Sequence, residues 1–229
     1  MLFRSARIAK FEIFRVFPNQ VAPLGNATLR FEGTLFGQKL EAFLVNSSAD
    51  QNFIKAEQVY RMSSTEVYAT FITTNLTVGA TFHVKLVHSE SMEEALLERS
   101  LVITRGEPGR LETHVDFPEA LLVDSLGVVT LTYENAGDTD IPSPLLSLTV
   151  SGGHTQFRPI QKDREPAQFS SAVMFLAQPA QGPGGILPPK AYGEMVFDTK
   201  SVGSEEVQVK YRLQMLDGND EPQIGRAHV

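Results

Sequence analysis

The chain has 229 residues, of which 42% are hydrophobic and 15 are Phe, and this length predicts two domains of roughly 100–120 residues. It contains no Cys, which excludes disulfides, thiolate zinc sites and Cys nucleophiles. The formal net charge of −7 divides into +1 through Gly106 (11 Lys/Arg against 10 Asp/Glu) and −8 from Glu107 onward (9 against 17), so neither part carries the basic surplus that nucleic-acid binding requires.

The first residues are positively charged but do not form an uninterrupted apolar segment. Lys10, Glu12 and Arg15 break the run, which therefore does not read as a signal peptide. A basic transit peptide is the alternative, but Glu12 and the run into Phe17-Pro18 favour a first β-strand. No window is apolar for long enough to insert into a membrane, and an export signal, if the protein has one, is expected outside this chain.

Alternation of apolar and polar residues dominates the first part of the chain. This period of two is typical of antiparallel strands with one wet face, because successive side chains point to opposite faces. In residues 28–32, Leu29 and Phe31 are predicted to face inward and Thr28 outward. The same pattern gives inner sets in residues 66–71 (Val67, Ala69, Phe71) and 81–86 (Phe82, Val84, Leu86).

Residues 89–99 are the strongest helix candidate, because they combine good helix formers with an acidic first turn. They can equally form a hairpin loop that leads into a strand over residues 97–103, and we favour this interpretation. Gly and Pro in the following segment, Thr104-Arg-Gly-Glu-Pro-Gly109, predict a short linker between two domains, residues 1–106 and 107–229.

Residues 133–150, in the second part of the chain, predict the end of one strand, a turn and a second strand. A strand ends in Asn135-x-Gly137, an acidic turn follows, and Pro142 and Pro144 start the next strand, with Tyr133 predicted to face inward beside Leu131 and Val129. Residues 207–215 are apolar at every odd position and predict a strand. Residues 156–168 and 178–189 are expected to form long loops.

Short motifs in the first domain resemble the bacterial immunoglobulin-like modules of the IPT/TIG type. They are Val16-Phe-Pro-Asn19, Gly25-Asn-Ala-Thr-Leu-Arg-Phe-Glu-Gly33 followed by Phe36, Ser64-Thr-Glu-Val-Tyr-Ala-Thr-Phe71, and Gly79-Ala-Thr-Phe-His-Val84. The resemblance implies a β-sandwich.

The second domain resembles the cell-adhesion-related, CARDB-like bacterial repeats. The similar segments are Val129-Thr-Leu-Thr-Tyr-Glu-Asn-Ala-Gly137, Ile141-Pro-Ser-Pro-Leu-Leu146, Gly185-Ile-Leu-Pro-Pro189 and Glu194-Met-Val-Phe197. The repeats usually have Gly after the Pro pair, where this chain has Lys190. Together the two resemblances imply an all-β chain of two tandem immunoglobulin-like antiparallel β-sandwiches.

The implied function is that of a non-catalytic spacer or adhesion module in a large bacterial protein, secreted or on the cell surface. Its partners would be neighbouring domains of that protein, with a surface protein or glycan as a further possibility. Two alternatives are an accessory carbohydrate- or protein-binding module attached to an enzyme, and an assembly component that captures a partner strand at an exposed sheet edge.

No residue pattern predicts catalysis, since the Gly-x-Ser-x-Gly motif of a nucleophilic Ser is missing from the sequence. The acidic turn offers Glu134, Asp138 and Asp140 as speculative calcium ligands, although Asp and Asn also supply turn geometry without a metal. No other cofactor is expected. Tyr60, Tyr68 and Phe43 fall on the predicted outer faces, where they would either stack on sugar rings or pack beneath a loop or a neighbouring domain.

Overall fold

A computed structural model describes residues 9–48, 53–118, 125–151, 155–160, 167–201 and 210–215. Within these ranges the chain is all-β, without a helix, and consistent with a β-sandwich architecture; it therefore has no helix there that could span a membrane. The strands are β1 (Glu12–Phe17), β2 (Gln20–Val21), β3 (Asn26–Thr34), β4 (Leu40–Asn46), β5 (Phe53–Lys55), β6 (Gln58–Arg61), β7 (Glu66–Ile72), β8 (Thr81–His88), β9 (Glu94–Ile103), β10 (Leu111–Asp116), β11 (Leu126–Asn135), β12 (Ile141–Pro142), β13 (Leu145–Ser151), β14 (Thr155–Pro159), β15 (Ala172–Leu176), β16 (Ile186–Leu187), β17 (Tyr192–Ser201) and β18 (Lys210–Met215).

Strands β1–β9, called here the N-terminal half, form two sheets that share one core. Their orders are β1-β3-β7-β6 and β2-β9-β8-β4-β5, antiparallel except for the short β2–β9 pair. The inner residues of both sheets, among them Phe31, Phe71 and Leu86, belong to a single buried cluster. The inward sets predicted from alternation in residues 28–32, 66–71 and 81–86 are confirmed, since all eight side chains are buried.

Strands β10–β18, called here the C-terminal half, build a second core. The sheets β10-β11-β17-β14 and β15-β13-β18 and the short pair β12-β16 surround it. Val129, Leu131 and Tyr133 of β11 are buried in this cluster, as predicted, together with Phe157 and Phe197. The two cores lie on either side of residues 104–110, which contain no strand; the division into two domains at Gly106 remains a prediction.

Several local expectations can be compared with the observed strands. Residues 89–99 contain no helix: residues 89–93 connect β8 to β9 in a hairpin, and β9 begins at Glu94, three residues before the predicted start at Leu97. The long loop expected over residues 156–168 is wrong at its start, because β14 occupies Thr155–Pro159 and pairs with β17. Residues 207–209 of the predicted last strand lie outside the described residues, whereas Lys210–Met215 is a strand.

Replacing Phe197 by Ala tests the second core. The ring is fully buried, with its centroid 6.3 Å from that of Phe157 and 5.8 Å from that of Phe175. Phe197→Ala should lower the free energy of unfolding by about 3–5 kcal/mol in urea titrations, because it removes apolar burial and leaves a cavity. Phe14→Ala, at a ring that is 58% exposed, is the control and should cost less than about 1 kcal/mol. Equal losses for the two variants would contradict this description of the core.

Candidate functional site

Outside the two cores, the densest set of side-chain hydrogen bonds in the described chain lies at the junction between the two halves. The junction consists of residues 104–110, called the connector, and residues 136–140, called the junction loop. The junction loop follows the last residue of β11, Asn135, and leads into β12. Its shape comes from a side chain buried behind it, and its carboxylates face both the connector and the N-terminal half.

Asn135 fixes the junction loop from inside. Its side chain is completely buried, and its Nδ2 donates to the carbonyl oxygens of Thr139 (2.7 Å), Leu187 (3.0 Å) and Pro188 (3.1 Å). Its Oδ1 accepts hydrogen bonds from the backbone N–H groups of Gly137 (3.1 Å) and Arg110 (3.2 Å). One amide therefore joins the end of β11, the junction loop, the connector and the segment after β16.

Hydrogen bonds donated by backbone N–H groups to carbonyl and side-chain oxygens hold the connector against the junction loop. Asp138 N donates to Glu107 O and Glu107 N donates to Asp138 Oδ2, both at 2.9 Å, while Gly109 N donates to Thr139 Oγ1 at 2.7 Å. The two segments approach so closely at Gly137 that a Cβ there would lie 2.2 Å from Pro108 O. Only Gly is compatible with this spacing.

Asp140 connects the junction loop to the N-terminal half. Its carboxylate accepts hydrogen bonds from Thr28 N (2.8 Å at Oδ1) and Thr28 Oγ1 (2.7 Å at Oδ2), and its backbone N–H donates to Asn26 O (2.8 Å). The Thr28 hydroxyl also lies 2.8 Å from Thr70 Oγ1. Burial raises the pKa of Asp140, and the two hydrogen bonds from Thr28 oppose that shift.

Thr28 shows why the face of a strand does not determine exposure. The alternation in β3 places it opposite Leu29 and Phe31, on the face predicted to be outward. The structure buries Thr28 to 1% exposure because the C-terminal half covers that face. The prediction placed Thr28 on the correct face of β3, but its expected exposure to solvent was wrong.

Lys190 supports the junction loop from the C-terminal half. Its Nζ lies 3.1 Å from Asp138 Oδ1 and donates to Ala136 O. Its backbone is in the left-handed region, with φ of 62°, which Gly adopts more easily than any residue with a Cβ. This position is thus strained, and it carries an amine that contacts the junction loop.

The three residues considered for calcium are placed differently from one another. Asp138 and Asp140 share the junction loop, but Asp138 is bound by Glu107 N and Lys190, whereas Asp140 is bound by Thr28. Glu134 is exposed, on the opposite face of β11 from Tyr133. Across the described ranges, no three His, Cys, Asp or Glu side chains are grouped as metal ligands. Calcium binding stays a speculative prediction.

A cleft of about 110 Å³ lies beside the junction, between the outer face of β3 and β7 and residues 180–192. Phe17, Tyr68 and Tyr192 contribute aromatic rings to its wall, and Arg30 contributes a cation. Arg30 is already paired with Glu32 and Glu66, at 2.8 Å each. The cleft is much smaller than the roughly 300–1,000 Å³ typical of ligand pockets.

Among the three aromatic residues predicted on outer faces, Tyr68 is buried rather than exposed. It is 4% exposed, and a Cβ built on Gly182 would lie 3.2 Å from its Cε1. Burial, then its hydrogen bond to Glu66 Oε1 (3.0 Å), raises the pKa of Tyr68. This burial agrees with the expectation that Tyr68 packs beneath a loop or a neighbouring domain, and it leaves little of the ring free to stack on a sugar. Phe43 and Tyr60 are partly exposed.

A larger depression, of about 580 Å³, lies in the N-terminal half away from the junction. Its wall includes Asn46, Phe53 and Phe82, which fall on both sides of residues 49–52, outside the described residues. We assign no ligand to it.

Comparison with known proteins identifies no relative, because the chain matches no protein-family model and none of the curated proteins.

The pKa of Asp140 predicts how the junction responds to pH. A carboxyl with a raised pKa in the folded state favours folding while protonated, and this contribution is lost as the pH rises through the folded pKa. Wild type should therefore lose stability relative to Asp140→Asn, which carries no charge, as the pH rises above about 4, the ordinary pKa of Asp. Urea titrations across this range measure the difference, and a difference that is constant or changes in wild type's favour would contradict the assignment.

The strained backbone of Lys190 predicts an unusual order of stability. Lys190→Ala and Lys190→Gly both remove the amine, but only Gly relieves the left-handed backbone. Lys190→Gly should therefore be more stable than Lys190→Ala by about 1 kcal/mol in urea titrations. Lys39, an exposed residue without a positive φ, provides the control pair, in which Gly should give no advantage over Ala. Equal stability of the two Lys190 variants would show that the backbone there is not strained.

Proposed function

We propose that this protein is a non-catalytic structural module that keeps two immunoglobulin-like β-sandwiches at a fixed angle, as a spacer or adhesion segment of a larger bacterial surface or secreted protein. The observation that carries the proposal is the Asp140 carboxylate bound by both the N–H and the hydroxyl of Thr28, across the two halves. A carboxylate buried at this contact costs several kcal/mol unless it is paired, so the contact is favourable only where Thr28 reaches Asp140.

The connector supports the same function. Its first residue, Thr104, donates a backbone hydrogen bond to Val21 O of the N-terminal half at 2.9 Å. Further along the connector, Glu107 and Gly109 form hydrogen bonds with the junction loop. A segment anchored on both sides does not behave as a flexible linker. Loops at the two distant ends of the molecule would thus keep a constant spacing.

The motifs that resemble IPT/TIG-like and CARDB-like modules support the placement in a secreted or surface protein, with neighbouring domains as partners. The alternative of an accessory carbohydrate-binding module receives less support. The cleft beside the junction is small, its Arg30 is paired with carboxylates, and Tyr68 is covered. A glycan array with the purified protein distinguishes the two, since specific binding would favour the accessory module.

The fixed angle can be measured directly because the chain has no Cys of its own. Spin labels on Ser91→Cys and Glu194→Cys, both exposed, report the distance between the halves by pulsed electron paramagnetic resonance. We expect one narrow distance distribution for the otherwise unchanged chain. Adding Asp140→Ala should broaden it, because the carboxylate that joins the halves is lost.

Asp116→Ala is the matched control, as it makes the same chemical change at an exposed Asp of β10. It should leave the distribution narrow. A broad distribution in the otherwise unchanged chain, or one that Asp140→Ala does not alter, would overturn the proposed function.

A further inference from the structure

The exposed edge of β15 is the least protected sheet edge of the described chain. Its sequence, Ala-Val-Met-Phe-Leu, contains no charged residue and no Pro, and no irregularity interrupts its pairing with β13. Met174 is 68% exposed and Leu176 52% exposed, whereas Val173 and Phe175 pack against the second core. An apolar strand with a free edge is a template for another strand.

The other edge strands carry the features that discourage strand pairing. β1 has an irregularity between Ile13 and Arg15, β14 ends in Pro159, and β2, β12 and β16 contain two residues each. The remaining edges of the described sheets include charged residues: Lys55 in β5, Arg61 in β6, Glu112 and Asp116 in β10, and Arg212 in β18. In proteins that stay monomeric, such features block edge-to-edge association.

The hydrogen-bond register shows which backbone groups of β15 are free to pair. Ala177 N donates to Pro144 O and Val150 N donates to Ser171 O, so the odd-numbered residues direct their backbone groups toward β13. The even-numbered residues Ala172, Met174 and Leu176 direct theirs to the opposite side, where no strand of the described chain lies. Free backbone groups and exposed apolar side chains thus belong to the same three residues.

We propose that β15 is a self-association edge, which pairs antiparallel with β15 of a second copy of this chain about a two-fold axis at Met174. In this register Met174 faces Met174 of the other copy, and Ala172 faces Leu176, which gives up to about six backbone hydrogen bonds. The partner is a second copy because the strand is apolar throughout and so complements itself.

Charge favours this contact over other faces of the C-terminal half. From Glu107 onward the chain carries a surplus of acidic residues, 17 against 9 Lys/Arg, so most surfaces of two copies repel each other. β15 has no charge to bring into contact with its counterpart. Two-fold pairing also covers both free edges, so the assembly ends at a dimer and does not continue into a filament.

Sedimentation over a concentration series from micromolar to millimolar tests the proposal. Wild type should show a reversible monomer–dimer equilibrium, and Met174→Lys should weaken it about tenfold or more, because two Lys would face each other at the axis. Met92→Lys is the matched control, because it makes the same change in charge at another exposed Met. Met92 is 69% exposed and lies in the hairpin between β8 and β9. Met92→Lys should leave the equilibrium unchanged.

A cross-linking experiment tests the register. Under mild oxidation, Met174→Cys should form a covalent dimer at least about tenfold faster than Met92→Cys, since only the first thiol meets its counterpart in the dimer. A wild type that remains monomeric over the whole series, or a dimer that Met174→Lys and Met92→Lys weaken equally, would overturn the proposal. Equal rates of cross-linking for the two thiols would overturn it as well.

Discussion

The buried amide of Asn135 is the interaction on which the junction depends. Its donors and its acceptor are all used, toward the junction loop, the connector and residues 187–188. A polar group that loses its partners inside a protein costs about 1–3 kcal/mol, so none of these segments can move without an energetic penalty. The amide therefore determines where the backbone of Asp138 and Asp140 lies, and through them how the C-terminal half meets the N-terminal half.

Both sides of the contact are continuous with a core, which is the structural basis of the proposed fixed angle. On one side Thr28 lies between Ala27 and Leu29 of β3, both fully buried in the N-terminal half. On the other side Asn135 ends β11, whose Tyr133 is held by Gln178: Tyr133 Oη donates to Gln178 O at 2.7 Å, and Gln178 N donates to Tyr133 Oη at 3.1 Å. Because close-packed cores deform little, the proposal requires only a few hydrogen bonds at the junction to orient the sheets on either side.

Alternation in the sequence predicted the strands and their inner faces well, because one buried face imposes a period of two on each strand. Leu131 and Tyr133 of β11, two positions apart, were predicted to face inward and are both buried. The same reasoning assigned Thr28 and Tyr68 to outer faces correctly, anticipated a cover only for Tyr68, and could not identify the segment that covers either side chain. The bond from Thr28 to Asp140 spans 112 positions in the chain, and a contact over that separation leaves no local pattern. The acidic turn was visible, yet only the fold shows that its carboxylates have protein partners.

Under the proposed function, the burial of Asp140 matters more for the angle between the halves than for stability. Moving a carboxylate out of water is unfavourable, and its raised pKa shows that the hydrogen bonds from Thr28 do not fully offset this cost. An apolar side chain in its place would pack in many neighbouring orientations with similar energy. The carboxylate is satisfied only where Thr28 N and Thr28 Oγ1 both reach it, at 2.8 and 2.7 Å. An orientation that keeps the carboxylate buried but moves it away from Thr28 leaves a buried charge without partners, and under the proposed function this penalty disfavours such arrangements of the two halves.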